Sequence, residues 1–391
     1  MRILYASERP PFPFFLGGAA RSAHYVLSAL ARDLGSVCTA LGSADFTGAP
    51  WQYPAPADYA ALGIKDVKRT GHSLSVDCGY TVTVSNDFSR ALLTAIDTFS
   101  PDLLWAQLDG AATVLEIGQQ KGVRALYFMR DAELKPAEMA SIAATGAHIV
   151  CNSSFLARRV EEVTGRKASF VYPSLDALLE VTGDRAGYLT MINPHRVKGI
   201  DTFLEIARTL PDLNFMLVES WQLDEAALAA LAARLKDLPN VLFQRRVADM
   251  RPIYGKTRLL LVPSVWEEAF GRVAIEAQSC GIPVIASARG GLPESVGEGG
   301  ILIRHYRDPQ AWVNAIKRVL SEQNLYDALA NRALRHARSD MFTPSYAAHR
   351  FYEICSETLR QESTQSRSTG RIFERLRRVP LLGTLLKPRG R

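Results

Sequence analysis

The chain has 391 residues, of which 47% are hydrophobic and 22% charged; this is globular composition with room for two domains, and it excludes wholesale disorder, collagen and a disulfide scaffold. The net charge of +6 belongs to the tail: residues 359–391 carry nine Lys/Arg against two Asp/Glu, and the rest carry 37 against 38. The body therefore has no basic excess of the kind that nucleic-acid binding uses, and nucleic acid is not expected as a partner.

In chain order, a short apolar run is followed by a loop and then an amphipathic stretch, again and again. RILYA (2–6) leads through Pro, Phe and Gly into AARSAHYVLSALARDL. With one early Arg and few apolar residues, it reads as a first strand rather than a signal peptide. DLLWA (102–106), RALYFM (124–129), AHIVC (147–151) and ASFVY (168–172) alternate with helix-like segments. The theme restarts with YLTMI (188–192), NFMLVE (214–219), VLFQ (241–244), RLLLV (258–262) and PVIAS (283–287). Continuous apolar strands between helices are what a parallel sheet covered on both faces requires.

The alternation breaks once, at about 174–187, which predicts the crossing between two doubly wound α/β domains. Ligands of such sheets bind outside the carboxyl ends of the strands, so a cleft between two facing domains is the expected site. SYAAHRFYEICSETLRQ (345–361) predicts a closing amphipathic helix. In the tail, Ile372, Phe373, Leu376 and Val379 share a helical face bordered by Arg371, Arg375, Arg377 and Arg378. Residues 371–391 are thus a candidate contact for an anionic membrane surface, though VPLLGTLL is too short to span one. A flexible basic tail, or a helix packed on its own domain, is the alternative.

Five cysteines lie far apart without a C-x-x-C pair, which fits a reducing, cytoplasmic compartment. There is no D-x-D and no Cys/His cluster, so no metal ligand set is visible. The densest chemistry lies in RLLLVPSVWEEAFGRVAIEAQSCGIPVIAS (258–287). A buried strand ends at Val262, a loop runs to Phe270-Gly271, and a helix follows. A helix start with unpaired N–H groups can hold a phosphate, and Gly271 lets the backbone approach it. Glu268 and Glu276 flank that helix start and can accept hydrogen bonds from sugar hydroxyls.

This segment resembles the donor-site signature of the retaining family 4 glycosyltransferases of the GT-B fold, P-S…E-x-F-G-x-x-x-x-E-A…G-x-P-V. Pro263, Ser264, Glu268, Phe270, Gly271, Glu276, Ala277, Gly281, Pro283 and Val284 match it. One extra residue after Ser264 leaves Glu267 as a rival of Glu268, and Glu268 keeps the family's spacings. The resemblance covers nearly the whole body and implies two Rossmann-like domains: 1–175 on the acceptor side and 186–340 for the nucleotide-sugar. A helix (341–361) would return toward the first domain, and 362–391 would be the basic tail.

The resemblance also implies roles for individual residues. Glu268 would hold the transferred sugar and Glu276 the ribose. Backbone near Phe270, Gly271, Arg272 and Val273, together with Lys198 of the K-G pair Lys198-Gly199, would stabilise the leaving diphosphate. Gly17 and Gly18 would bring N–H groups to the donor phosphates. Asn193 stands where the family usually has Arg, and Arg196 is the nearby substitute. Where the family commonly has His-Asp, this chain has Arg130-Asp131, placed to meet an anionic acceptor or a donor phosphate; a structural ion pair is the other reading. Gly290, Gly291 and Glu294 match a bracing G-G-x-P-E segment.

The implied activity is metal-independent, retaining transfer of a sugar from a nucleotide-sugar to a glycan, lipid-linked or small-molecule acceptor. UDP-sugar is favoured, GDP-sugar is the second choice, and no cofactor is needed. A non-catalytic or partner-dependent sugar-nucleotide binder of the same fold is the alternative. An NAD-dependent oxidoreductase is remote, because FLGGAAR does not supply G-x-G-x-x-G.

Overall fold

The computed structural model describes residues 1–15, 17–44, 64, 66–175, 187–247 and 249–360. The chain forms two units, Met1–Val171 joined by the chain from Ala348 onward, and Tyr172–Ala347. The first unit thus ends at Val171, ahead of the expected crossing at 174–187, most of which lies outside the described residues. The basic tail, 362–391, lies outside them too.

The first unit is built on β1 (Arg2–Ser7), β2 (Val37–Ser43), β3 (Val67–Thr70), β4 (Ser73–Asp77), β5 (Thr81–Ser85), β6 (Leu103–Gln107), β7 (Arg124–Met129), β8 (His148–Cys151) and β9 (Ala168–Phe170). They pair in the order β3-β4-β5-β2-β1-β6-β7-β8-β9. All neighbours from β5 to β9 are parallel, whereas β3 and β4 pair antiparallel and extend one edge. The apolar-run criterion did not predict β2 to β5. VCTALGS mixes small and polar residues, and every residue of VKRT in β3 is exposed. Lys68 and Arg69 on that last strand are charges of the kind that discourage further pairing at a sheet edge.

Helix Pro344–Arg360 enters the first unit at Ala348. It brings Phe351 to 4.4 Å from the buried Trp105 ring, centroid to centroid.

The second unit holds β10 (Tyr188–Ile192), β11 (Phe215–Val218), β12 (Val241–Gln244), β13 (Thr257–Val262), β14 (Val284–Ser287) and β15 (Gly300–Ile303). All pairs are parallel, in the order β12-β11-β10-β13-β14-β15. This is the doubly wound order 3-2-1-4-5-6. Leu259 and Leu261 of β13 face one core with Phe203 and Trp312, while Leu260 and Val262 face another with Ala274 and Leu292. Burial on both faces explains why RLLLV is apolar without alternation. Between β10 and β13 the strand order reverses, and ligands of doubly wound sheets bind outside the carboxyl ends of the strands at such a point.

Among the described residues no helix is long and apolar enough to cross a membrane.

Candidate functional site

The loop leaving β10 begins with Asn193 in the left-handed region, φ 74. Its N–H donates to Val218 O at 2.7 Å, and its side-chain Oδ1 is buried without a hydrogen-bond partner. The chain then makes one 3-10 turn, Arg196–Lys198, and reaches Gly199 at φ 88. Glycine is required there: a Cβ would lie 1.8 Å from the Pro263 carbonyl oxygen. The loop leaving β13 lies directly against this turn, with Val265 N–H donating to Val197 O at 2.9 Å and Trp266 N–H at 3.3 Å.

That contact sets the Lys198 ammonium on the Glu268 carboxylate, 2.7 Å from Oε1 and 2.9 Å from Oε2. Ser264 donates to Oε1 at 2.6 Å. The Lys198 and Glu268 side chains are 16% and 10% exposed. At that burial, removing one partner strands a charge, which typically costs about 3–5 kcal/mol. Lys198 Nζ also lies 4.5 Å from the Trp266 ring centroid and 5.0 Å from that of Trp221.

The glycine pair after β14 braces the Glu268 backbone. Gly291 N–H donates to Glu268 O at 2.7 Å, and a Cβ on Gly290 would lie 2.4 Å from the same oxygen. The Phe270 side chain is buried, packed with Leu175, Ile275, Ala337 and Phe342, which leaves its backbone as the part that could serve a donor. Gly271, at φ 97, opens helix Arg272–Ser279, whose first turn has neither a side-chain cap nor an acidic residue. The first N–H groups of such a helix, those of Arg272 and Val273 among them, have no intrahelical acceptor.

Glu276 accepts from Arg272 Nε at 3.2 Å and from the Tyr254 hydroxyl at 3.0 Å. Burial first, and then the Glu276 charge, hold the Tyr254 hydroxyl well above its ordinary pKa, so it stays a donor. Arg196 is 75% exposed and reaches Asp201 at 3.9 Å, and Asp201 also accepts from Arg234 at 2.6 Å. His195 caps the turn, its ring 5.5 Å from Trp221; burial and the Lys198 charge lower its pKa. Glu294 accepts from the Tyr172 hydroxyl at 2.9 Å.

Gly17, Gly18, Arg130 and Asp131 belong to the first unit, not the one that carries Lys198, Glu268 and Glu276. Gly17 precedes helix Gly18–Leu34 in an extended conformation, and a Cβ on it would meet the Phe15 ring at 2.3 Å. Arg130 donates to Gln107 Oε1 at 3.1 Å and to Ser22 Oγ at 3.0 Å, with its guanidinium 3.8 Å over the Phe128 ring. Asp131 is exposed and accepts from Glu133 N–H at 3.2 Å.

Sequence reasoning missed Trp221, Trp266 and Tyr254. Trp266 sits inside the motif and Trp221 just past a strand's carboxyl end, and both positions were signals; Tyr254 gave none. Among the described residues no group of three or more His, Cys, Asp or Glu is arranged as metal ligands would be.

Residues 185–336 match the family described as Glycosyl transferases group 1. The D-inositol 3-phosphate glycosyltransferase of Actinosynnema mirum is 37% identical over 117 residues, which are 29% of this chain and 28% of that protein. That of Rhodococcus jostii is 41% identical over 116 residues, 29% of this chain and 24% of that protein. The chain thus spans about a quarter of the length of these curated relatives. Among solved structures, Anabaena HepE in complex with UDP has a TM-score of 0.70 at 19% identity, covering 91% of this chain and 100% of that one. Sucrose-phosphate synthase from Thermosynechococcus elongatus has a TM-score of 0.70 at 17% identity, covering 91% and 98%.

Proposed function

We propose that this protein moves a sugar from a nucleotide-sugar to an acceptor hydroxyl, a reading supported by the match of residues 185–336 to the group 1 glycosyltransferases and by the GT-B fold. A UDP-sugar is the first choice of donor and a GDP-sugar the second. HepE, solved in complexes with UDP and with UDP-glucose, supports the first. The observation that carries the reading is the buried Lys198–Glu268 pair at the point where the second sheet's strand order reverses.

Breaking the bond from the sugar's anomeric carbon to the phosphate oxygen puts negative charge on the leaving diphosphate. Stabilising that charge is the largest task of such a site. Lys198 meets it with a full positive charge, and the N–H groups of Arg272 and Val273 meet it with the partial charge of an uncapped helix start. Glu268, freed from Lys198, accepts hydrogen bonds from the transferred sugar, and Glu276 accepts them from the ribose. The acceptor oxygen attacks on the face the diphosphate leaves, and its proton passes to the departing phosphate, so configuration is retained. These residues supply the charge balance without a metal.

The acceptor is a glycan, a lipid-linked molecule or a small molecule, met by first-unit residues such as Arg130 and Asp131. The curated relatives are named for D-inositol 3-phosphate, and they match 29% of this chain. Residues 371–391 would hold the enzyme peripherally on the anionic inner face of the membrane, with the catalytic body in the cytoplasm.

Calorimetric titration with UDP, GDP, ADP and CMP, with NAD as control, tests the donor. Tight binding of one nucleoside diphosphate, lost in Glu276→Ala, supports it. Binding of none by folded protein refutes it. A non-catalytic binder would bind the nucleotide-sugar yet release no nucleoside diphosphate over time.

A further inference from the structure

We propose that Trp221 and Trp266 are positioning residues that hold the Lys198 ammonium in place when Glu268 turns to the sugar. The inference rests on the donor-site reading above and deepens it.

The two indoles come from different loops, one after β11 and one after β13. They meet edge to face, centroids 6.0 Å apart at 77°. Lys198 Nζ lies 4.5 Å and 5.0 Å from their centroids, both within cation–π range. Neither ring is placed by its own burial alone. The Trp266 backbone N–H is bonded to Val197 O. Trp221 is 45% exposed, an unusual cost for an indole, and its segment is pinned by Glu219. That carboxylate accepts from Leu223 N–H at 2.8 Å, Arg246 N–H at 3.1 Å and Arg245 Nε at 2.8 Å.

The two kinds of partner around Lys198 differ in what a donor does to them. The carboxylate is contested, because any sugar hydroxyl that bonds Glu268 weakens its hold on the ammonium. An indole face attracts a cation through its quadrupole and offers nothing comparable to a hydroxyl. Lysine's four-carbon stem is flexible. Without the indoles, the ammonium would leave its position at the moment the leaving diphosphate needs it. The expected consequence falls on kcat rather than on KM for the donor, because the charge that Lys198 answers develops in the transition state.

Two experiments decide it. In fluorotryptophan-labelled protein, each tryptophan gives one fluorine resonance, and Trp221→Phe and Trp266→Phe identify two of them. Lys198→Met is expected to move those two and leave the others, with no nucleotide present. In turnover of UDP-glucose, Trp221→Leu and Trp266→Leu are each expected to lower kcat about tenfold, with KM changed less. The Phe variants, which keep a ring face, should restore most of the loss. Unmoved resonances overturn the proposal, as do Leu and Phe variants that lose kcat alike. If wild-type protein neither binds nor turns over a nucleotide-sugar, the donor-site reading falls. The fluorine experiment then still upholds or overturns the indole contact by itself.

Discussion

Gly199→Ala is the substitution that most directly tests how the site is assembled. Its methyl would lie 1.8 Å from the Pro263 carbonyl oxygen, against an ordinary contact of 3.4 Å or more, so the two loops must part by about 1.6 Å to restore one. The φ of 88 adds the left-handed penalty of about 1–2 kcal/mol. The obstacle is backbone on a short loop, so relief must come from the Val265 and Trp266 hydrogen bonds to Val197, worth about 1 kcal/mol each. A total destabilisation of about 3 kcal/mol or more follows.

The internal control is Gly187→Ala in the same unit, where φ is 84 and nothing among the described residues lies within 4 Å. It bears the strain without the clash. Urea denaturation of both variants should separate them by about 2 kcal/mol. Calorimetry should show UDP affinity largely lost in Gly199→Ala and kept in Gly187→Ala, because Lys198 is the residue just before the displaced one. Equal midpoints for the two variants, or unchanged UDP binding by Gly199→Ala, would refute the account of the loops as a single assembly.

Three further outcomes are expected. Tyr254→Phe removes the donor that orients Glu276; it should cost about 1 kcal/mol of stability and raise the UDP dissociation constant while leaving kcat nearly unchanged, read by calorimetry and steady-state kinetics. Burial tends to raise the Glu219 pKa, but the N–H groups of Leu223 and Arg246 and the Arg245 guanidinium outweigh it and lower the pKa. The stability this provides is present above the ordinary carboxylate range and fades as pH falls through the depressed value, so the urea midpoints of wild type and Glu219→Gln should converge on acidification. Burial pushes His24 from 6.5 down to about 4, so the unfolded chain takes up its proton first. The contribution is complete above 6.5 and erodes by up to about 3 kcal/mol as pH falls toward 4; a pH series of midpoints should show that slope in wild type and lose it in His24→Gln.

Much of this protein can be read along the chain. Strands buried on both faces must be apolar throughout, so RILYA, DLLWA, YLTMI and RLLLV announced a parallel α/β architecture. Where a strand is half-solvated or at an edge, that signal fades, and VKRT and its antiparallel partner went unseen. Glycines with a fixed task, such as Gly199, Gly271 and Gly290, stood in the motifs because a local backbone conformation and a close approach leave no other residue.

Only the tertiary structure decided which side chains meet. Lys198 and Glu268 are seventy residues apart and face each other because two loops leave neighbouring strands. The same geometry brought in Trp221 and Trp266, put the Tyr254 hydroxyl on Glu276, turned Phe270 into the core, and placed Arg130 on Gln107 and Ser22. Secondary structure follows from periodicity within a few residues, which the chain carries locally. A site is a coincidence of strand ends in space, fixed by sheet order and crossover direction, and no local spacing encodes it.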